Sequence, residues 1–334
     1  MQVITYTHKT ELYTSKVLDK YLENKSFAIF DIETLGLDAS RQAVILAGLN
    51  EIHPDGTCTV TQFFAEKIEE EKELLSLLFD KLNTFDYIIT YNGKHFDIPF
   101  IMKRQNKYGL NLRLRPYNMD IFLMIQKCSD LRSILPNLKQ KTVEEYMGLK
   151  ATRLDEISGK ESIELYYHYL LEEDLDNKEA LKQVILLHNH DDVLQLYKLM
   201  PVLRNVDIHK AFHGLGFPCD DGNVIDKIKL STKYLEITGH YYGEPRSYIS
   251  FEAENCPYYK EILDNWTFLY KLPLESLNDS IFINLLSLFD EKEASSFNIY
   301  PGYVNNYLIL SSDANKNYLE MNMLAKEIVN SDIL

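Results

Sequence analysis

Three short segments of this chain set carboxylates and an imidazole at spacings that suit metal-dependent chemistry. The first is Asp31-Ile32-Glu33, which closes an apolar run that begins at Ser26. In an extended segment residues i and i+2 project from the same face, so Asp31 and Glu33 stand side by side. Two carboxylates that close repel unless a proton or a cation neutralises them. Hard divalent ions such as Mg²⁺ and Mn²⁺ take oxygen ligands of this kind. The plainer use of the same pair is a strand-end cap at Asp31 with Glu33 on the surface.

The second segment runs Tyr91-Asn92-Gly93-Lys94-His95-Phe96-Asp97-Ile98-Pro99-Phe100. Asp97 stands where a strand hands over to a helix. It would serve equally as an N-cap, with Pro99 in the first turn and Phe96 and Phe100 in the core. The third segment is His188-Asn189-His190-Asp191-Asp192, inside a long helical stretch. Leu181, Val184, Ile185, Leu196 and Leu199 mark its apolar stripe, and His188 and Asp192 fall on that stripe one turn apart. Polar groups there need a partner or a role, and a buried His–Asp hydrogen bond is the alternative. Zinc held through His188 and His190 fits poorly, because helical residues two apart splay by about 200°.

If folding joins the segments, Asp31, Glu33, Asp97 and Asp192 would hold two divalent ions, Mg²⁺ or Mn²⁺. His188 beside them could orient or deprotonate a water. That constellation predicts two-metal phosphodiester hydrolysis.

The elements that must deliver these groups follow from hydrophobic spacing. Strands are predicted at Ser26–Asp31, at 43–52, at 58–65 after the Pro54-Asp55-Gly56 turn, and at 86–91. Helices are predicted over 67–83, over 97–107, at Met119–Lys127, Thr142–Met147 and Glu161–Leu171, and from Asp176 to about Met200. Strands first and helices afterwards indicate an α/β or α+β sheet domain. Beyond Gly214 the texture changes to a Gly- and Asp-rich stretch. Strand-like runs follow at Ile225–Ile237, Ser247–Phe251, Thr267–Leu274 and Tyr303–Ser311, with a closing helix at Tyr318–Val329.

The chain carries 35 basic and 50 acidic side chains, a formal net charge of −15. That excludes coating nucleic acid or anionic membrane by bulk charge. The acid is unevenly spread: residues 1–210 are net −6 and residues 211–334 net −9. Between residues 98 and 141 nine basic side chains face two acidic ones. This stretch includes Lys103, Arg104, Lys139 and Lys141, and it follows the second acidic segment directly. It predicts a phosphate-contacting surface, an ordinary solvated surface being the alternative. Phe96, Tyr108 and Tyr117 could stack on unpaired bases or belong to the core. Cys58, Cys128, Cys219 and Cys256 form no C-x-x-C pair, as in a cytoplasmic protein with reduced thiols. No signal-type run and no stretch of ~20 apolar residues predicts a membrane span.

These motifs resemble the DEDD, or DnaQ-like, 3′→5′ exonucleases of the ribonuclease H-like fold. The resemblance rests on Phe30-Asp31-Ile32-Glu33-Thr34 with Gly36-Leu37, on Tyr91-Asn92-Gly93 with Phe96-Asp97-Ile98-Pro99-Phe100, and on Asn189 with Asp192-Val193. Leu138-Lys139, Val143-Glu144, Met147-Gly148-Leu149 and Ile157-Ser158-Gly159 are similar to the narrower YprB-like group of predicted exonucleases. The likeness covers residues 25–205. It implies that Asp31 bridges both metals, that Glu33 and Asp192 complete one site, and that Asp97 supports the other. It further implies that Thr34 offers its backbone N–H to a terminal nucleotide and that Leu37 touches the base. Asn92, Lys94, Phe96, Lys103 and Arg104 complete the expected nucleic-acid contacts. One departure concerns His188: the family has Tyr four residues before the last Asp, or His five before it, and here His stands at four.

The expectation is therefore an α/β chain: a ribonuclease H-like mixed sheet flanked by helices, with a smaller strand-rich α+β C-terminal domain. The boundaries are an N-terminal extension at 1–24, the nuclease domain at 25–205, a linker at 206–222 and an accessory domain at 223–334. The expected activity is 3′→5′ exonucleolytic cleavage of single-stranded DNA or RNA. The alternative is a non-catalytic module that binds nucleic acid, or a protein partner through the C-terminal domain.

Overall fold

The structure, a computed structural model, describes residues 1–154, 157–242, 247–251, 258–263, 265–313 and 315–331, apart from the side chain of Asp221. Cys256 lies outside the described residues. The chain forms two compact units, Met1–Val206 and Asp207–Leu334.

The first unit runs β1 (Gln2–Lys9), α1 (Lys16–Leu22), β2 (Phe27–Thr34), β3 (Val44–Ile52), β4 (Thr57–Phe64), α2 (Glu71–Leu82), β5 (Tyr87–Thr90), α3 (Asp97–Lys107), β6 (Tyr117–Asp120), α4 (Ile121–Cys128), α5 (Leu131–Ile134), α6 (Gln140–Tyr146), α7 (Gly159–Leu171) and α8 (Leu175–Lys198). Its strands build one mixed sheet in the order β1-β4-β3-β2-β5-β6. Strands β1, β4, β3 and β2 pair antiparallel, whereas β2, β5 and β6 are parallel. Strand parity then sorts the side chains of β2. Phe30 and Ile32 sink into a core with Leu74, Leu78 and Phe100 from α2 and α3. A second cluster joins Ile45 and Phe64 to Tyr166 of α7 and to Ile185 and Leu186 of α8. Asp31 and Glu33, at the alternate positions of β2, face this second side.

The ends of α7 and α8 follow local chemistry. Ser158 and Glu161 form a capping box at the start of α7, satisfying backbone N–H groups that have no partner within the helix. Asp174, rather than the predicted Asp176, caps α8 by accepting from Asn177 N at 2.9 Å. Val184, expected in the apolar stripe, is 39% exposed. The stripe is instead continued by His188, Asn189 and Asp191, all buried.

Two further differences from the sequence concern short elements. Residues 1–24, set apart there as an extension, supply the edge strand β1, paired from Gln2↔Phe64 to Lys9↔Thr57. Met119 and Asp120, read as the start of a helix, end the strand Tyr117–Asp120, because parallel pairing with β5 claims them.

The second unit contains α9 (Ile208–Leu215), β7 (Phe217–Pro218), β8 (Val224–Leu230), β9 (Tyr234–His240), β10 (Tyr248–Ser250), β11 (Tyr259–Ile262), β12 (Thr267–Pro273), β13 (Glu275–Leu277), β14 (Ser280–Asn284), α10 (Glu291–Ser296), β15 (Tyr303–Val304), β16 (Tyr307–Ser312), β17 (Asn315–Lys316) and α11 (Tyr318–Ser331). One antiparallel sheet has the order β10-β11-β12-β9-β8-β7, and β13 to β17 build a second. It is the strand-rich smaller unit expected from the sequence. The stretch 206–222, read as a linker, instead folds into α9 and β7. Asp207 caps α9, and Gly216 ends it with φ +85°. Among the described residues no helix is long and apolar enough to cross a membrane.

Candidate active site

Strand β2 and helix α8 bring the first and third segments together. A cavity of about 700 Å³ is lined by Asp31, Glu33, His188 and Asp192. One ligand atom each from Glu33, His188 and Asp192 lie within 4.8 Å of one another. His188 Nε2 stands 3.5 Å from Glu33 Oε1 and 3.7 Å from Asp192 Oδ2. The one-turn spacing read from the sequence is thus spent on a shared focus rather than on an isolated His–Asp pair.

Asp31 is held by α8. Asn189 donates from Nδ2 to Asp31 Oδ2 at 3.1 Å. Asn189 is oriented in turn by Gln62, whose Nε2 donates to Asn189 Oδ1 at 3.0 Å. This approach needs Gly48 on β3, where a Cβ would lie 2.1 Å from Asn189 Oδ1. Asp97 enters from the start of α3. Its Oδ1 accepts from the backbone N of Ile32, between the two acids, at 3.2 Å. Asp97 is buried, and its repulsion is the largest of the charge effects on Asp31.

The electrostatics fit a cation site. Burial, with repulsion from Asp97, Asp192 and Glu33, raises the Asp31 carboxyl well above its ordinary value. Burial pushes Glu33 up to about 7, with Asp192 adding to the rise and His188 opposing it. Asp97 is likewise pushed up to about 7 by burial, with Asp120 and Asp192 adding repulsion. Carboxylates this crowded ionise readily only beside additional positive charge. Their oxygens form a donor set that fits a divalent cation, with the His188 imidazole beside it.

Asp191 faces away from this focus: it accepts the backbone N–H of Leu154. Asp120 also serves structure. It accepts from the backbone N of Asn92 and of Lys94, each at 3.0 Å, and caps α4 through Leu123 N. Asn92, in a left-handed conformation with φ +66°, is fixed by that contact.

The expected nucleic-acid contacts separate. Thr34, Leu37 and Phe96 line the cavity, and Leu37 is 87% exposed at its rim. Lys139, Lys141 and Lys160 line it as well. Asn92, Lys94 and Lys103 lie outside that lining, Lys94 and Lys103 being exposed. Arg104 is a correction. It is 2% exposed and committed to Glu71, with its Nε 2.7 Å from Glu71 Oε1, so it cannot meet a polyanion. Its place in a basic run gave no sign of this partner 33 residues away. Tyr108 bonds Glu71 through its hydroxyl and carries the Arg104 guanidinium over its ring, and Tyr117 is buried in the sheet.

Two basic groups at the site escaped the sequence reading, Lys160 in the cavity lining and Arg153 beside Asp192. Arg153 Nη1 donates to Asp192 Oδ1 at 2.6 Å. Its Nε and Nη2 bond the two oxygens of the buried Glu144 at 3.0 and 2.8 Å. Glu144 stood within the YprB-like run, but no local pattern pairs it with Arg153.

A family model described as the RNase H superfamily matches residues 28–204, and the chain belongs to that superfamily. Among curated relatives, the chain is 28% identical over 200 residues to the uncharacterized protein YprB of Bacillus subtilis, covering 59% of this chain and 46% of that one. It is 30% identical over 92 residues to a DNA polymerase of Methanocaldococcus jannaschii, covering 25% of this chain and 6% of the polymerase. The chain thus spans less than half the length of these relatives. A solved family B DNA polymerase from Pyrobaculum calidifontis aligns at 21% identity with a TM-score of 0.41, over 54% of this chain and 25% of the polymerase.

Proposed function

We propose that the Met1–Val206 unit is a metal-dependent nuclease, a 3′→5′ exonuclease acting on single-stranded DNA or RNA. The observation that carries this reading is the focus of Glu33, His188 and Asp192 within 4.8 Å, on one cavity wall with Asp31. Two divalent ions, Mg²⁺ or Mn²⁺, held by Asp31, Glu33, Asp97 and Asp192 would supply water activation and stabilisation of the leaving oxygen. The chain's own residues do the rest. Asn189 fixes the orientation of Asp31, so that one carboxylate oxygen is already engaged. His188, buried between Glu33 and Asp192, receives a proton at Nε2 from a water in the cavity. Lys139, Lys141 and Lys160 offset phosphate charge along the cavity. Leu37 and Phe96 offer apolar surface to an unstacked base. The polarity of cleavage and the preference for single strands are supported by the motif resemblance of residues 25–205.

The test uses oligonucleotides labelled at either end, DNA and RNA, with Mg²⁺ or Mn²⁺. Wild-type protein should release mononucleotides progressively from the 3′ end, and Asp31→Ala should not. Cleavage retained in full by Asp31→Ala would exclude this site. Metal-independent binding without cleavage would instead favour a non-catalytic nucleic-acid module.

A further inference from the structure

We infer that a three-residue strap, Thr152-Arg153-Leu154, is clipped onto α8 so that Arg153 sets the orientation of Asp192 and thereby the metal affinity of the site. This inference rests on the proposed metal site and adds to it a positioning residue outside its acidic motifs.

The strap is fastened on both sides of the arginine. Ahead of it, Gln195 Nε2 donates to the carbonyl of Thr152 at 2.6 Å, and Thr152 Oγ1 donates to Gln195 Oε1 at 2.9 Å. Behind it, the backbone N of Leu154 donates to Asp191 Oδ2. Gln195 and Asp191 are both buried on α8, flanking Asp192 in sequence. Between these two fastenings, Arg153 directs its guanidinium toward the turn that carries Asp192. Glu144 of α6, 2% exposed, then holds the guanidinium in a two-point grip. A planar guanidinium gripped by one carboxylate presents its remaining N–H in a fixed direction. That N–H meets Asp192 Oδ1 at 2.6 Å, which leaves Oδ2 turned toward His188.

The side chain of Arg153 is 7% exposed. It is placed to act through Asp192 rather than on a polyanion. Asp191, beside Asp192, anchors the strap. Groups that orient a metal-binding carboxylate typically contribute about ten- to hundredfold in metal affinity or activity.

The experiment is a calorimetric titration of the full chain with Mn²⁺, followed by Mn²⁺-dependent cleavage rates. Arg153→Met alone would strand the Glu144 charge in the interior. The double variant Glu144→Gln/Arg153→Met is therefore included, with Arg153→Lys as a milder change. The double variant should bind Mn²⁺ at least about tenfold more weakly. Its KM for oligonucleotide should be unchanged, and its rate should recover at high Mn²⁺. Arg153→Lys, which keeps the charge but loses the two-point grip, should fall between. A folded double variant with wild-type Mn²⁺ affinity overturns the inference, as does a raised KM with unaltered Mn²⁺ affinity. Asp31→Asn separates the two readings. If it retains Mn²⁺ binding, the metal site itself is misassigned; if it loses binding while the strap variants keep it, only the strap fails.

Discussion

Asn189 and Gly48 face each other across the contact between α8 and β3, and each is needed for the other to work. The glycine leaves room where a Cβ would stand 2.1 Å from Asn189 Oδ1. Asn189 uses that room to reach Asp31 Oδ2 at 3.1 Å. This hydrogen bond favours the ionised form of Asp31 against burial and three neighbouring carboxylates.

Gly48→Ala should therefore disable the site from a distance. The added methyl displaces Asn189 and frees Asp31, and the overpacked contact costs about 1–3 kcal/mol. Cleavage should fall by about ten- to hundredfold, with a lower Tm. A wild-type rate in Gly48→Ala would show that Asn189 does not hold Asp31.

The crowded carboxylates predict an inverted pH response in metal-free protein. Glu33 and Asp97 are pushed up to about 7 by burial, from 4.5 and 3.8. Between those values the native state binds more protons than the unfolded chain. Their contribution to stability is complete at low pH and is lost as pH rises through about 7. In chelator, Asp31→Asn, which removes one repelling charge, should be more stable than wild type at pH 8 and closer to it at pH 5. Mn²⁺ should reverse that order. Differential scanning calorimetry at the two pH values decides.

His213 in the second unit predicts the opposite sign. Burial lowers it from 6.5 to about 4, with Lys316 adding to the fall. Here the unfolded chain binds the extra proton. Stability is lost as pH drops from about 6.5 toward 4, by at most about 3 kcal/mol. His213→Gln should flatten that part of the stability–pH curve. An unchanged slope in chemical denaturation would remove His213 as its cause.

The basic residues predict two separable phenotypes. Lys139→Ala with Lys141→Ala and Lys160→Ala should weaken oligonucleotide binding and reduce the slope of log K against log salt by about 2, at about 0.7 per phosphate contact. Their Tm should hold. Glu71→Gln leaves the buried Arg104 without its partner and should cost about 3–5 kcal/mol of stability. Its salt slope should remain that of wild type, which fluorescence anisotropy across a salt series can read.

The sequence by itself determined the acids and the elements that carry them. Alternation along β2 put Asp31 and Glu33 on one face. The turn at Pro54-Asp55-Gly56 and the leucines of α2 located a hairpin and a helix. One turn of α8 aligned His188 with Asp192. All of these are local relations, fixed by a period of 2 or 3.6 residues. Tertiary structure decided what those groups meet. Arg104 looked like surface charge until Glu71 claimed it. Asn189 had no stated task until Gly48 let it reach Asp31, and Arg153 was one cation among many until Glu144 and Asp192 fixed it. Such partners lie 33, 158 and 39 positions apart. Contacts at that range are selected by packing and by the cost of leaving buried charge unpaired, which no local pattern records.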